Sequence, residues 1–166
     1  LQLDLRSIVA AVFSAYAFPN GSETMFIDWK KLAHQVGATG HCSTDLGNAA
    51  IVSLLGEETC RQAVNHYVEF SGQPSAELAR QILWNLRPRC AMLRCYEIYQ
   101  RSIVPEHRIH AIELLRVIAD PSVVPWIPEF LAHETMEINL WGAGILDQLL
   151  WSEQIEPDQC QELLTA

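Results

Sequence analysis

The sequence contains no lysine or arginine after Arg116. Up to that residue, eleven acidic and eleven basic side chains cancel, so the whole net charge of −9 belongs to the last fifty residues. An acidic region of this kind repels nucleic acid and acidic membranes and attracts a basic partner. Its nine carboxylates are Asp120, Glu129, Glu134, Glu137, Asp147, Glu153, Glu156, Asp158 and Glu162.

Long hydrophobic runs are also missing. The longest covers residues 8–13, whereas a helix that spans a bilayer needs about 20 residues, so we expect no membrane segment. The five cysteines form no CxxC pair, and the chain is too long for a small disulfide scaffold, which favours reduced thiols and a cytoplasmic location. Because the chain begins at Leu1 rather than at a methionine, we expect that N-terminal residues have been removed.

Motifs of common catalytic sites are absent as well. The chain has no glycine-rich phosphate loop and no GxSxG nucleophile motif. His41 and Cys42, with His34 one helix earlier, are residue types that can supply a thiolate and its base, but no neighbouring feature orients them. We therefore predict a protein without catalytic activity or cofactor, with a free thiol in a polar loop at Cys42.

Two histidines have a spacing that metal sites use. His107 and His110 lie three residues apart beside Glu106 and Glu113, and on a helix this spacing can direct two imidazoles and a carboxylate at one ion. Polar residues three apart are also common on a solvated helix face. We favour the solvated face and predict no metal site.

The apolar pattern predicts helices and no strands. Residues 3–16 and 25–36 have apolar side chains at helical spacing, and the second of these helices ends at Gly37. Residues 38–44 lack this periodicity and are predicted to form a loop. Because no run of β-branched residues alternates with polar ones, the predicted fold class is all-α.

Two stretches of the C-terminal third repeat one helical face. Residues 108–119 and 139–150 superimpose at an offset of 31 residues, which pairs their apolar positions. The pairs are Ile109 with Leu140, Leu114 with Ile145, Leu115 with Leu146, and Ile118 with Leu149. Between the two copies, Asp120 and Pro121 mark the start of another helix, over residues 121–132.

A similar interval extends towards the N-terminus. Helices of a first kind are predicted to begin near Asp45, Ser75, Glu106 and Glu137, and helices of a second kind near Glu57, Arg89, Pro121 and Pro157. A fixed period of about thirty residues indicates a solenoid, in which each helical hairpin buries its apolar face against the next hairpin. We predict one domain of nine or ten helices over residues 1–166, with atypical capping helices in 1–40 and repeats in 45–166.

Residues 106–151 resemble a HEAT repeat. The residues that carry the resemblance are small side chains where helices approach and a proline-containing turn after the first helix: Ala111, Ala143, Asp120-Pro121 and Val123-Val124-Pro125. The resemblance is fair for residues 45–101 and poor before residue 40. It implies a right-handed α-solenoid that binds macromolecular partners, and it carries over no catalytic residue.

Two kinds of HEAT-like protein suggest other activities. His133 and Glu134 resemble the pairs with which HEAT-repeat deoxyhypusine hydroxylases hold two irons, but that family repeats the pair in several hairpins, so we expect no di-iron site. HEAT-like DNA glycosylases hold DNA with arginine and lysine, and seven arginines lie in residues 80–116. Three acids among them and a pI near 5.0 oppose nucleic-acid binding, and we predict that these arginines pair with neighbouring hairpins.

The C-terminal third combines aromatic and acidic side chains without a cation. The predicted partner-binding residues are Trp126, Glu129, Phe130, Glu134, Glu137, Asp147, Trp151 and Glu153. Aromatic anchors ringed by charge are typical of tight protein interfaces, and charge of one sign speeds association with an oppositely charged partner. The alternative is that the tryptophans fill the core, and we assign Trp141 to the core.

Small acidic helical-repeat proteins resemble bacterial immunity proteins, which neutralise a cognate toxin by covering its active site or substrate surface. The resemblance implies a basic toxin as partner, binding that weakens as salt rises, and loss of affinity on charge reversal at Glu129, Glu134 or Glu137. Two alternatives stay open. One is a HEAT-like enzyme or enzyme subunit, similar to bilin lyases or to metal oxygenases, and the other is an assembly scaffold that binds through its concave surface.

Overall fold

The computed structural model describes residues 28–37, 43–158 and 160. The chain divides into two compact units, Leu1–Leu54 and Leu55–Ala166. All regular secondary structure in the described residues is helical, which confirms the predicted all-α class. The predicted helix over 3–16, most of the predicted loop over 38–44, and His41 and Cys42 lie outside the described residues. The prediction of a single domain over 1–166 stays a prediction.

The first unit contains helix α1 (Trp29–Gln35) and nearly all of α2 (Thr44–Leu55). The side chain of Asp28 caps α1 by accepting a hydrogen bond of 3.0 Å from the backbone N–H of Lys31. Helix α1 begins four residues later than predicted, directly after an aspartate whose side chain satisfies an otherwise unpaired N–H group.

The second unit contains the repeated helices. They are α3 (Glu57–Glu69), α4 (Pro74–Leu86), α5 (Arg89–Arg101), α6 (Pro105–Ile118), the 3-10 helix η1 (Pro121–Trp126), α7 (Ile127–Leu131) and α8 (Met136–Trp151). Helices α2, α4, α6 and α8 begin within one residue of the predicted starts, and α3, α5 and η1 begin at the predicted residues. The structure gives bounds for eight α-helices and one 3-10 helix, and residues 157, 158 and 160 are also helical, at the predicted start Pro157. The predicted total of nine or ten helices for the whole chain stays a prediction.

The helices of the second unit contact both their sequence neighbours and the helices two places along. Helix α3 packs against α4, α5 and α6, and α6 packs against α4, α5 and α8. Helix α8 also packs on α7. This arrangement is compatible with a helical repeat, in which each hairpin is buried by its neighbours.

The repeated helical face is confirmed for three of its four pairs. Leu114, Leu115 and Ile118 of α6 and their equivalents in α8 are buried, at 4% exposure or less. The fourth pair is different, because Leu140 is 58% exposed and lies outside the core.

The small residues at which helices pack closely are also not the ones predicted. Ala111 is fully buried, as expected, but Ala143 is exposed. The residues of α8 that allow close approach are Gly142, which lies against Phe130 of α7, and Gly144, which lies against Arg116 of α6. A glycine at such a position lets two helices come closer than any side chain would permit.

The segment after α6 forms two short helices instead of one. Asp120 caps the first by accepting a 2.8 Å hydrogen bond from the backbone N–H of Ser122. Pro125 and Pro128 lack the N–H groups that a continuous α-helix needs. The segment therefore forms a 3-10 helix that is followed by an α-helix of five residues. No described helix combines the length and the apolar character needed to cross a membrane.

Candidate functional site

The outward side of α8 exposes large apolar side chains. Met136, Leu140 and Trp151 are 80%, 58% and 84% exposed, respectively. Ala143 and Asp147 lie between them and are exposed as well. The five residues are spaced four, three, four and four positions apart, so they line one side of the helix, which is called the α8 face below.

The positions of the α8 face can be compared with the equivalent positions of α6. At the offset of 31 residues, Asp147 corresponds to Arg116 of α6, and Ala143 corresponds to Ile112. Arg116 lies against α8, with its guanidinium 5.2 Å from the ring centre of Trp141, and Ile112 is fully buried. Of the five positions, only Ala143 corresponds to a buried residue of α6, whereas Met136 corresponds to Pro105, which is exposed.

Acidic side chains lie within the α8 face and near both of its ends. Glu137, Asp147 and Glu153 are exposed, and no cation among the described residues lies within 4.0 Å of their carboxylates. Glu153 has a left-handed backbone (φ 55°) just after α8, and the N–H groups of Glu153 and Gln154 donate to the carbonyls of Leu150 and Leu149. This Schellman ending stops the helix and keeps Glu153 beside Trp151. Four of the predicted residues, Glu137, Asp147, Trp151 and Glu153, are thus exposed along α8 or just after it.

Trp126 and Glu129 belong to a different cluster, in which both are bonded within the chain. The Trp126 ring stacks on Tyr96 of α5, with ring centres 4.4 Å apart and planes 8° from parallel. The Tyr96 hydroxyl donates a 2.7 Å hydrogen bond to Glu129, and the Arg89 guanidinium lies 5.6 Å from the centre of the Trp126 ring. These contacts make Trp126 and Glu129 part of the packing between α5 and η1–α7.

The electrostatics of this cluster match its geometry. Partial burial, and then the Glu129 carboxylate that accepts its hydrogen bond, raise the pKa of Tyr96 to about 12. A charged phenolate beside a carboxylate is unfavourable, so the hydroxyl stays a donor over the physiological range. Because Glu129 already accepts a hydrogen bond from Tyr96, its carboxylate is less available to a partner than that of Glu137.

Phe130 and Glu134 complete the predicted set. Phe130 is fully buried, and its ring meets Tyr99 edge to face with ring centres 5.0 Å apart. The prediction that Phe130 contacts a partner is wrong, because its side chain is buried within the chain, between Tyr99 of α5 and Gly142 of α8. Glu134 is exposed in the turn before α8.

A second cluster lies on α3 and α5, where three arginines share one carboxylate. The Glu97 Oε2 atom accepts hydrogen bonds of 2.7 Å from Arg61 and 2.8 Å from Arg94, and its Oε1 atom lies 3.5 Å from Arg101. Arg94 also donates a 2.8 Å hydrogen bond to Asn65 of α3. The hydrogen bond from Arg94 first, with the positive charges of Arg94 and Arg61, lowers the pKa of Glu97.

Beside this cluster is a cleft of about 380 Å³, called the Glu97 cleft below. Its polar lining is Asn65, Glu69, Arg94, Glu97, Arg101, Ser102 and His107, and its apolar lining is Val68 and Ile98. The predicted pairing of arginines with a neighbouring hairpin is confirmed for Arg94, whose partner Asn65 is on α3.

The histidines considered as metal ligands have other surroundings. His110 Nδ1 lies 3.2 Å from the Val68 carbonyl, while His107 lines the Glu97 cleft. His133 Nδ1 accepts a 3.0 Å hydrogen bond from the backbone N–H of Thr135. Across residues 28–37, 43–158 and 160, no group of three or more His, Cys, Asp or Glu side chains gathers as metal ligands would.

Three of the cysteines in the helices, Cys60, Cys90 and Cys95, are buried core residues. Cys160 is only half-buried. Burial raises the pKa of Cys60 to about 12, so this thiol carries no thiolate at neutral pH and is a poor nucleophile.

Sequence reasoning missed Met136 and Leu140 on the α8 face and Tyr96 and Glu97 on α5. Helix α8 has apolar residues on nearly all sides, and this pattern indicates that more than one side of the helix packs against another surface. The spacing of Arg94, Glu97 and Arg101 is the helical spacing of charge pairs and could have indicated the arginine cluster.

Comparisons of the chain with protein-family models, with curated proteins and with solved structures found no match.

Proposed function

We propose that this protein is a non-catalytic binding module, a HEAT-like right-handed solenoid whose α8 face binds a basic protein. The observation that carries the proposal is the exposure of three large apolar side chains on one side of α8. Met136, Leu140 and Trp151 expose most of their apolar area there. Burying side chains of this type contributes about 1.5–3 kcal/mol each, which is enough to make them the central anchors of an interface.

The charge around these anchors defines the partner. Glu137, Asp147 and Glu153 are exposed beside them, and the sequence supplies no lysine or arginine after Arg116. A second copy of the same face would place carboxylates against carboxylates, so self-association through this face is disfavoured. A partner with apolar side chains flanked by lysine or arginine fits both features.

The resemblance to immunity proteins supports a more specific proposal, in which the partner is a basic toxin and binding neutralises it. In this proposal the protein contributes only a surface, and neutralisation follows from covering the toxin. Attraction between opposite charges raises the association rate and weakens with added salt, since exposed charges are screened over about 10 Å at 0.1 M salt.

The test compares two exposed leucines on different helices. Leu140→Lys places a cation in the α8 face, and Leu93→Lys makes the same change on α5, where Leu93 is 44% exposed. Wild-type and variant proteins are used to capture partners from the native cells, and the captured basic protein is then purified and titrated. We expect Leu140→Lys to weaken binding at least about tenfold and Leu93→Lys to leave it unchanged, because only the first removes an anchor and adds repulsion.

Two further measurements test the charge and the neutralisation. Asp147→Lys should weaken binding and reduce its dependence on salt. Expression of the partner alone should arrest growth, and co-expression of the wild-type protein but not of Leu140→Lys should restore it. The proposed binding face would be contradicted by a partner that binds Leu140→Lys and wild type equally, or by an affinity that does not change with salt concentration.

A further inference from the structure

The α8 face is a row of side chains along one regular helix. Its five positions run from the first to the last residue of a 16-residue helix. At a rise of about 1.5 Å per residue, the row is about 22 Å long. Ile138, Ile145 and Leu149 are buried on the opposite side of the helix. Helix α8 thus packs on α6 and α7 and still exposes the α8 face along its whole length.

The backbone of α8 limits what kind of segment can cover this face. Its N–H and C=O groups are bonded to one another within the helix, so they offer no partners to an adjoining strand. A single extended segment laid on the α8 face would leave its own buried backbone groups unpaired, whereas a helix bonds these groups internally. The side chains of a helix also recur four and three residues apart, as the α8 face does, so two such rows interdigitate.

Two positions within the α8 face determine how a helix fits there. Ala143 is its smallest member and lies between Leu140 and Asp147, so it leaves room for a large apolar side chain of the partner. Asp147 is its charged member, and no cation in the part of the chain that the structure describes forms a salt bridge with it. A cation that faces Asp147 would fix the register of the two helices, as single polar positions do in paired helices.

We propose that the occupant of the α8 face is an amphipathic basic helix of the partner. Its large apolar side chains pack against Leu140 and Ala143, and a lysine or arginine of the helix faces Asp147. Glu137 and Glu153, near the two ends of the face, attract further cations. Apolar anchors at helical spacing, with charges beside them, are the features by which amphipathic helices are recognised. This inference rests on the proposed function, because it names the element through which the basic partner binds.

The test is an NMR titration of the full chain with two synthetic basic peptides of identical composition. In the first peptide, leucines recur at the spacing of the α8 face and one lysine takes the position that faces Asp147. In the second, the leucines occupy every second position, so that this peptide is amphipathic only as a strand. We expect the first peptide to bind saturably at about 1 mM or tighter, and at least about fivefold more tightly than the second.

The location of the bound peptide is checked on the protein. The signals of Met136, Leu140 and Trp151 should shift with one midpoint, and the peptide should gain helix by circular dichroism. Leu140→Lys should weaken binding of the first peptide at least about tenfold, and Leu93→Lys on α5 should leave it unchanged.

The register is tested by exchanging charges at Asp147. Asp147→Lys should weaken binding of the first peptide about fivefold or more, and a glutamate in place of the facing lysine of the peptide should recover most of this loss. Glu106→Lys changes the net charge equally at the exposed start of α6 and is the matched control. It should weaken both versions of the peptide little and should not reverse the preference between them.

The helix inference and the proposed function fail in different ways. The inference is overturned if the first peptide shows no saturable binding, if the strand-patterned peptide binds as tightly, or if Leu140→Lys leaves the affinity of the first peptide unchanged. The proposed function is overturned when the captured basic partner itself binds Leu140→Lys as tightly as wild type. A partner that loses affinity for Leu140→Lys, together with a strand-patterned peptide that binds as tightly as the first, would refute the helix and keep the face.

Discussion

Helices α5 and α8 both expose one side to solvent, but they differ in whether the polar groups on that side are bonded to other residues of the chain. On α5, Glu97 is bonded to arginines, and Tyr96 donates a hydrogen bond to Glu129. On α8, Glu137 and Asp147 have no described cation within 4.0 Å, and they stand among exposed apolar side chains. The exposed groups of α5 hold helices together, whereas α8 is held by its opposite side, which carries Gly142 and the buried residues Ile138, Ile145 and Leu149. Substitutions on α5 should therefore change stability, and substitutions on the α8 face should change binding.

The largest effect on stability is expected at the inner side of α8. A Cβ atom at Gly142 would lie 2.6 Å from the Cβ atom of Phe130, and Phe130 is fully buried and cannot move aside. Gly142→Ala forces α7 and α8 apart, and overpacking of this kind costs typically 1–3 kcal/mol. We expect the free energy of unfolding to fall by about 2 kcal/mol, measured by chemical denaturation followed by circular dichroism.

Gly144→Ala, two residues further along the same helix, is the control. A Cβ atom there would also meet a neighbour at 2.6 Å, but this neighbour is Cδ of the long Arg116 side chain. Such a side chain can rotate, and alanine favours a helix over glycine by about 1 kcal/mol. We expect Gly144→Ala to change stability by less than about 1 kcal/mol. Equal losses for the two variants would show that α8 is not held by contact with Phe130.

The arginine cluster of α5 should give the next largest effect. Glu97→Gln removes the charge that Arg61, Arg94 and Arg101 share, and three partly exposed pairs contribute a few tenths to about 1 kcal/mol each. We expect the variant to lose about 1–2 kcal/mol of stability at neutral pH. Glu77→Gln, which leaves only Arg80 without its partner, should lose less than about 0.5 kcal/mol.

The pH dependence gives an independent check on Glu97. Its pKa is lowered in the folded protein, chiefly by the hydrogen bond from Arg94, so the folded state favours the carboxylate. The resulting stability is present above the ordinary glutamate pKa of about 4.3 and is lost as the pH falls through the lower folded-state value. Denaturation curves of wild type and Glu97→Gln should converge in acid. A gap that stays constant with pH would mean that the charge on Glu97 does not cause the loss.

The starts of the helices could be predicted from sequence, and the uncovered side of α8 could not. Residues such as Gly56, Pro88 and Asp120 act on the backbone next to them, so they mark helix boundaries wherever the chain goes. Helix α8 has apolar residues on nearly all sides, so its periodicity does not show which side α6 and α7 cover. That choice depends on contacts between residues far apart in the chain.

Glu129 and Glu137 show the same limit for a binding site. In the sequence both are acids near an aromatic residue in a region without cations. In the structure a tyrosine 33 residues earlier, Tyr96, engages Glu129, and no described residue forms a salt bridge with Glu137. Charge patterns therefore predicted where the acids without cations lie in the chain, while packing decided which of them are bonded within it.

The smallest effect is expected for the hydrogen bond between Tyr96 and Glu129. Tyr96→Phe, Glu129→Gln and the double variant form a cycle that isolates this pair. Because the pair lies at the surface, we expect a coupling energy of about 0.5–1 kcal/mol. A coupling of zero would mean that Glu129 is not bonded in solution, and Glu129 would then be as available to a partner as Glu137.

Titration of Tyr96 would sharpen this result. Its folded-state pKa of about 12 exceeds the ordinary tyrosine value, so the neutral hydroxyl stabilises the fold. That stability is fully present below about pH 10 and is lost as the pH rises towards the folded-state pKa. In Glu129→Gln the pKa of Tyr96, followed by the NMR signals of its ring, should fall but stay above the ordinary value, because burial is the larger cause. An unchanged pKa would mean that Glu129 does not interact with Tyr96. Glu129 would then resemble the acids of α8 that form no described salt bridge, and the two helices would differ less.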